Sequence, residues 1–299
     1  MQNRSSRENV YVKPSLCLSG SLLLSFAFSV GVGAEEWEQK LYNPKPAEDD
    51  VVLPMPCGGA MTFRKIETEA AGVLGDQSVF LGSFDPQNGY KENRIKVYVA
   101  GNFPGDTPNT RYFLLGKYEV TELQFQAVMG NGCPQPEAEE RLPKTKLTWF
   151  DAVGFAHRYT LWLLENARER LPRDGDSIGF ARPPTEAEWE FAARGGRRVS
   201  ASEFEDQTFP MPEDIGHYVW FQGSRSAKGQ AQFVGMLEPN PEGLHDILGN
   251  VDEIAFDLFW LDQAFALPWA SWGLCGARWE LFDRCWTDPC LVSPGGTLL

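Results

Sequence analysis

The residues with the clearest chemical potential form one short acidic motif, D-x-x-G-x-V-x-E, made of Asp246, Gly249, Val251 and Glu253. The two carboxylates flank a tight turn, so they can converge with the backbone carbonyls of Gly249 and Val251 on one hard cation. A site built only from oxygen ligands favours Ca²⁺ over transition metals. The same residues also suit an acidic capped turn without a metal, and the motif alone leaves both interpretations open.

Thiol chemistry is the second possibility that the residue types raise. Beyond residue 34 the chain has an odd number of cysteines, which are Cys57, Cys133, Cys275, Cys285 and Cys290. In an exported protein an odd number leaves one thiol unpaired or reactive. No C-x-x-C or zinc-ligand spacing occurs. We predict a disulfide between Cys57 and Cys133, although spacing alone does not determine connectivity.

Residues 1–34 have the pattern of a secretory signal. Basic residues precede a largely apolar run at 16–32, and small residues at 32–34 provide a cleavage point. An uncleaved membrane anchor is the alternative, but serines and glycines interrupt a run of only about 17 residues. We therefore expect a cleaved, periplasmic protein with no integral membrane segment in its mature form.

The composition indicates a large, loop-rich and acidic domain. The chain has 299 residues, 42% of them hydrophobic, with 29 Gly, 21 Pro and a formal net charge of −14. This hydrophobic content can form a substantial core, and the Gly and Pro content argues against a helical bundle. The acidity excludes nucleic acid as an expected partner, because nucleic acid binding depends on basic surface.

The elements that must position the acidic motif begin with strands. Short strand-like runs occur at 78–81 and 95–99, separated by turn-rich segments. A longer run at 111–120 predicts a strand that leads into a helix. Thr121 and Gln124 form a capping box at the start of that helix, which ends near the Gly130 stop.

Two further helices are predicted. The first covers about 150–170, with an apolar stripe that includes Phe155, Tyr159 and Leu163. His157 lies within it, and we assign no catalytic role to this lone histidine. The second helix follows Thr185, which can cap it together with Glu188, and it ends at Gly195.

The string R-P-P-T-E-A-E-W-E-F-A-A-R-G-G at 182–196 resembles the signature of the sulfatase-modifying-factor family, which contains the formylglycine-generating enzymes. It departs from that signature only at Pro183. Three further blocks, at 116–121, 148–152 and 238–253, are similar to family blocks in the same order. The resemblance covers 61–257 and implies one compact α+β domain, related to C-type-lectin-like folds and low in regular secondary structure. Residues 35–60 would precede it as an extended segment, either a linker or an edge wrap.

The resemblance also bears on the metal. The family binds calcium at positions matching Asp246, Gly249, Val251 and Glu253, so it implies a calcium site here. Asp252 and Ile254 replace the tryptophans of the family's usual N-V-W-E-W. That difference weakens the similarity to the oxidases of the family more than it weakens the metal site.

The oxidase chemistry of the family requires two cysteines five residues apart after an R-G-G-S-aromatic motif, and these thiolates hold copper(I). Cys285 and Cys290 have the spacing, but no such motif precedes them. Copper is therefore not expected, and no catalytic or cofactor-binding residue is assigned. Similarity ends near 258, and we hypothesise that a frameshift produced the Trp- and Cys-rich tail at 258–299.

These observations predict an exported, catalytically silent family member that acts as a calcium-stabilised periplasmic binding or regulatory protein. The insertion at 61–111 and the N-V-D-E-I variant are similar to family members that accompany type VI secretion. The resemblance thus implies a periplasmic or membrane protein partner, including a secretion-regulating kinase. One alternative is a formylglycine-generating oxidase that recruits Cys275, Cys285 or His217. Another is a lectin-like module that binds a glycan.

Overall fold

The computed structural model describes residues 36–71, 74–82, 94–206, 208–221, 226–227 and 229–257. The predicted signal segment at 1–34 and the predicted divergent tail at 258–299 lie outside these ranges. The strands are β1 (Val51–Pro54), β2 (Ala60–Glu69), β3 (Asp76–Leu81), β4 (Ile95–Ala100), β5 (Phe103–Pro104), β6 (Thr110–Gly116), β7 (Arg173–Asp174) and β8 (Ser177–Ile178). The helices are α1 (Glu122–Met129), α2 (Trp149–Asn166), α3 (Glu186–Ala193) and α4 (Ala201–Glu205).

An antiparallel sheet in the order β1-β2-β6-β5 forms the centre of the fold. Strands β3 and β4 pair as a separate antiparallel hairpin, as do β7 and β8. Together with the four helices, these short elements confirm the predicted α+β class with long connecting loops. Because β1 lies at the edge of the central sheet, residues 51–54 wrap an edge rather than act as a free linker.

The helix starts agree with the sequence prediction because capping is a local property. Thr121, Thr148 and Thr185 each accept a hydrogen bond from the backbone amide three residues later, and each box is closed reciprocally. Helix α2 ends at Asn166, short of the predicted end at 170. Its last predicted residues form a separate 3₁₀ turn, Arg168–Arg170.

The core lies between the central sheet and α2 and α3. The predicted stripe of α2 is buried, with Phe155, Tyr159 and Leu163 no more than 1% exposed. These side chains share one apolar cluster with Phe113 of β6 and Phe191 of α3. Burial of such large apolar side chains is the main stabilising contribution, at about 1.5–3 kcal/mol each.

The strand predicted over 111–120 is shorter in the structure, because β6 ends at Gly116. The Lys117 amide still donates to the Thr62 carbonyl of β2 at 2.9 Å, and beyond it the chain bonds to other segments. The Lys117 ammonium lies 2.7 Å from a carboxylate oxygen of Asp50, and both side chains are almost fully buried. The Lys117 carbonyl accepts a hydrogen bond from the backbone amide of His245 at 3.0 Å. Residues 117–119 are thereby directed towards the acidic motif.

The same ion pair holds the N-terminal segment against the domain. Arg64 of β2 donates to both Asp49 and Asp50, with Nη2 lying 2.7 Å from Asp49 Oδ2. Hydrogen bonds from Arg64 lower the pKa of Asp49, and those from Lys117, Ala47 and other donors outweigh burial to lower the pKa of Asp50. Both aspartates therefore remain charged at neutral pH, and residues 45–50 are tied to the sheet.

Candidate metal centre

The acidic motif folds into a sharp turn, as the sequence predicts. Asp246, Gly249 and Asn250 all have positive φ angles, of 56°, 88° and 60°. A Cβ atom at position 249 would lie 2.1 Å from the Trp220 carbonyl oxygen, so only glycine fits there. The amide of Asn250 donates to that same carbonyl at 3.0 Å. This packing fixes the turn that brings Asp246 and Glu253 to one side.

Each of the two predicted carboxylates has an oxygen that is buried without a partner. Asp246 is 2% exposed, and its Oδ2 accepts from the Gly235 amide at 2.7 Å while Oδ1 has no hydrogen bond. Glu253 is half-buried as a residue, but its Oε1 is shielded from solvent and also has no hydrogen bond. A buried carboxylate oxygen without a partner is costly, so these two atoms call for a cation or a proton.

A third carboxylate, Glu119, joins the cluster and was not assigned a role from the sequence. It follows β6, is 4% exposed, and its Oε2 accepts from the Asn250 side chain at 2.8 Å. Its Oε1 is buried without a hydrogen-bond partner, like those of Asp246 and Glu253. The only sequence signal was a glutamate placed between apolar residues, Tyr118 and Val120.

The electrostatics show that the three carboxylates lie close enough to oppose one another's ionisation. Burial raises the pKa of Asp246 to about 6. Burial, together with the charge of Asp246, raises the pKa of Glu119 well above its usual range. The pKa of Glu253 is raised in the same way, first by burial and then by the charges of Glu119, Asp252 and Asp246. A bound cation would remove this mutual repulsion.

The donor set fits a hard cation in chemistry. Carboxylate and carbonyl oxygens are the ligands that Ca²⁺ prefers, and it takes six to eight of them in flexible geometry. No group of His, Cys, Asp and Glu side chains in the described part of the chain is arranged to hold a metal by itself. Glu119, Asp246 and Glu253 would thus need further oxygen ligands to hold the ion, and the family resemblance implies the backbone carbonyls of Gly249 and Val251.

Of the other predicted residues, the structure describes Cys57, Cys133, His157 and His217. The predicted disulfide is confirmed: Cys57 and Cys133 are bonded, with their Cα atoms 5.3 Å apart. His157 is exposed on α2, and His217 pairs with Glu213 at 3.0 Å on the surface. Cys275, Cys285 and Cys290 lie outside the described residues. Among the residues that the structure describes, no helix is long and apolar enough to cross a membrane.

Known structures share the fold at low sequence identity. Variable protein 1 of Treponema denticola is 22% identical, with a TM-score of 0.50 over 74% of this chain and 81% of that one. PvdO from Pseudomonas aeruginosa is 19% identical, with a TM-score of 0.45 over 72% of this chain and 77% of that one. The first of these confirms the fold alone.

One curated relative and one family model match the sequence. The chaperone protein LppX of Paenibacillus barcinonensis is 29% identical over 174 residues, which cover 47% of this chain. The chain spans 60% of the length of that relative. The family model described as the sulfatase-modifying factor enzyme 1-like domain matches residues 62–279, a match that extends beyond Asp257. Since this match includes most of the chain, the protein belongs to the sulfatase-modifying factor enzyme 1-like family.

Proposed function

We propose that this chain is an exported family member that binds Ca²⁺ for stability and serves as a binding or regulatory protein instead of a cysteine oxidase. The observation that supports the calcium proposal most directly is the set of three partnerless carboxylate oxygens, on Glu119, Asp246 and Glu253. Three buried acids with raised pKa values destabilise the folded protein unless a proton or a cation neutralises their charge.

Calcium fits this requirement better than protons at neutral pH. The pKa of Asp246 is raised only to about 6, so Asp246 is mostly ionised at pH 7 and repels its two neighbours. When bound, the ion supplies positive charge, and the carboxylate oxygens coordinate it. Asn250 then keeps Glu119 in position through its hydrogen bond, and Gly235 does the same for Asp246. Binding would release protons and stabilise the turn.

The proposal of a silent protein rests on the sequence. No R-G-G-S-aromatic motif precedes Cys285 and Cys290, and Cys57 and Cys133 are consumed in a disulfide. A binding role is also consistent with the name of the curated relative, a chaperone protein. We propose a periplasmic or membrane protein as the partner, and a secretion-regulating kinase is the specific candidate that the family resemblance supports.

Terbium luminescence tests the calcium proposal directly. Tb³⁺ is chemically similar to Ca²⁺, and Trp189, which interacts with Glu253, can sensitise its emission. We expect emission that Ca²⁺ displaces in the wild-type protein and that Glu253→Gln abolishes. Glu213→Gln is the matched control, because Glu213 is an exposed surface glutamate. Emission that is unaffected by Glu253→Gln would contradict the site.

A separate assay tests the silent character of the protein. The full chain is incubated with a Cys-x-Pro-x-Arg peptide, O₂ and copper, and aldehyde formation is followed by mass spectrometry. We expect no aldehyde. Any aldehyde would favour the alternative, a formylglycine-generating oxidase, without affecting the calcium result.

A further inference from the structure

We propose that β4, the more exposed strand of the β3–β4 hairpin, is a self-association surface that pairs antiparallel with β4 of a second copy of this chain. The hairpin belongs to the insertion at 61–111. It takes no part in the candidate metal centre. Its exposed apolar residues and unpaired edge are therefore not explained by the proposed function.

The hairpin has an open edge. Strands β3 and β4 pair only with each other, and no other strand in the described ranges hydrogen-bonds to either of them. Four of the six residues of β4 are exposed, compared with two of six in β3, so β4 is the more exposed strand of the hairpin. An unpaired strand edge is a template for another strand, and natural proteins usually cover or block it.

Large apolar side chains concentrate on this hairpin and beside it. Leu74, Phe80, Ile95 and Tyr98 are 87%, 47%, 56% and 61% exposed. Along β4 the alternating pattern places Ile95, Val97 and Val99 on one face, the face on which Val99 is buried. Phe80 and Tyr98 lie on the opposite face, so both faces of the hairpin carry exposed apolar side chains, which are common at interaction sites.

The sequence of β4 is complementary to itself in one register. Antiparallel partners lie on the same face of a sheet, so a two-fold axis through Val97 preserves the inward and outward faces. It places Val97 opposite Val97 of the partner subunit and Ile95 opposite Val99 of the partner subunit. Since Val79 is opposite Val97 within each hairpin, four valines would form one continuous row across the two subunits.

The charge pattern agrees with the same register. On the outward face it places Lys96 opposite Tyr98 of the partner subunit, and Tyr98 opposite the partner subunit's Lys96. Within one chain the Lys96 ammonium already lies 5.5 Å from the Tyr98 ring centroid, so this ring accepts a cation. The pairing would duplicate that contact across the interface. No like charges face each other in this register.

A second copy fits this edge better than an unrelated acidic peptide. The rows of apolar residues match apolar rows, whereas an acidic peptide would use only Lys96 and leave Ile95 exposed. The chain as a whole is acidic, with a formal charge of −14, so two copies repel each other at long range. We therefore expect a dimer that tightens as salt screens this repulsion.

Charge exchange on the outward face tests the register. Tyr98→Lys places a lysine opposite Lys96 of the partner subunit at two symmetric positions, and should weaken the dimer by about tenfold or more. Adding Lys96→Glu to this variant creates two opposite-charge pairs and should restore dimerisation. Both positions are exposed, so neither change disturbs the core.

Analytical ultracentrifugation of the full chain, from low to high micromolar concentration, gives the monomer–dimer constant for each variant. Thermal melting confirms that the variants are folded. We expect Tyr98→Lys to lose the dimer and the double variant to recover it. A wild-type protein that stays monomeric throughout, or a dimer that does not respond to either variant, would overturn the proposal.

Discussion

Replacing Glu119 by glutamine should stabilise the calcium-free protein and reduce the stabilisation that calcium provides. In the calcium-free protein Glu119 is a buried acid beside Asp246, with one oxygen unpartnered. Glutamine keeps an oxygen to accept the hydrogen bond from Asn250, now at 2.8 Å, and offers an amide donor to the neighbouring carboxylates. Removing the uncompensated charge should raise the free energy of unfolding by about 2 kcal/mol.

With calcium present most of this advantage is lost. Ca²⁺ at a hundredfold excess over its Kd stabilises the native state by about 2.7 kcal/mol. Loss of one anionic ligand should weaken calcium affinity by about tenfold or more, because affinity depends on the number of charged ligands. Glu119→Gln should thus gain much less from calcium than the wild-type protein does.

Urea denaturation in EGTA and in excess Ca²⁺ measures both effects. The pKa of Glu119 is raised in the folded state, so the stability it contributes is present at low pH and is lost as the pH rises through the folded pKa. The advantage of the variant in EGTA should accordingly grow as the pH rises above about 4.3, the ordinary pKa of a glutamate. Glu213→Gln serves as the control. A variant that is destabilised equally in EGTA and in calcium would refute this reasoning, since it would indicate that Glu119 acts only through packing.

Three other predictions concern Glu242, the disulfide and Asp50, and each is tested by urea unfolding. Burial raises the pKa of Glu242 to about 7. Its contribution to the free energy of unfolding is therefore complete below about pH 4.5 and is lost as the pH rises through 7. Glu242→Gln should remove about 3 kcal/mol of this pH dependence. Joint replacement of Cys57 and Cys133 by alanine should lower the free energy of unfolding by about 4 kcal/mol, because the disulfide spans 76 residues. Equal stability of the reduced and the oxidised wild-type protein would contradict this prediction. Asp50→Asn should cost about 3–5 kcal/mol by leaving buried Lys117 without its counter-ion, whereas Asp49→Asn, at a 60% exposed side chain, should cost about 1 kcal/mol or less. Equal effects of these two substitutions would argue against the buried pair.

Local features of the fold were predictable because local interactions determine them. The capping boxes at Thr121 and Thr185 depend on residues three positions apart and are present as predicted. The helix predicted from about 150 begins at Trp149, with a capping box at Thr148 that was not predicted. The end of β6 was not predictable in this way. Lys117, the first residue after β6, is held by Asp50 across 67 positions of sequence. A strand pattern contains no information about such a partner.

The candidate metal centre was likewise predictable only where its residues are close in sequence. Asp246, Gly249, Val251 and Glu253 form a local motif, and the turn they predict is present. Glu119 belongs to the cluster through a contact with Asn250 that joins residues 131 positions apart. Its block, 116–121, was noted for resemblance alone, because a lone glutamate between apolar residues has many ordinary roles.

The short segment 117–119 connects the two buried charged clusters of the domain. Lys117 binds Asp50 of the N-terminal segment, Tyr118 stacks on His245 with ring centroids 5.1 Å apart, and Glu119 reaches Asn250 in the acidic turn. These three consecutive side chains are all buried, so the backbone here cannot shift for one cluster without moving the other. Calcium binding at the turn should therefore also protect residues 45–50 from local opening. Hydrogen exchange would detect this as slower exchange of the Ala47 amide, which donates to Asp50 at 2.8 Å.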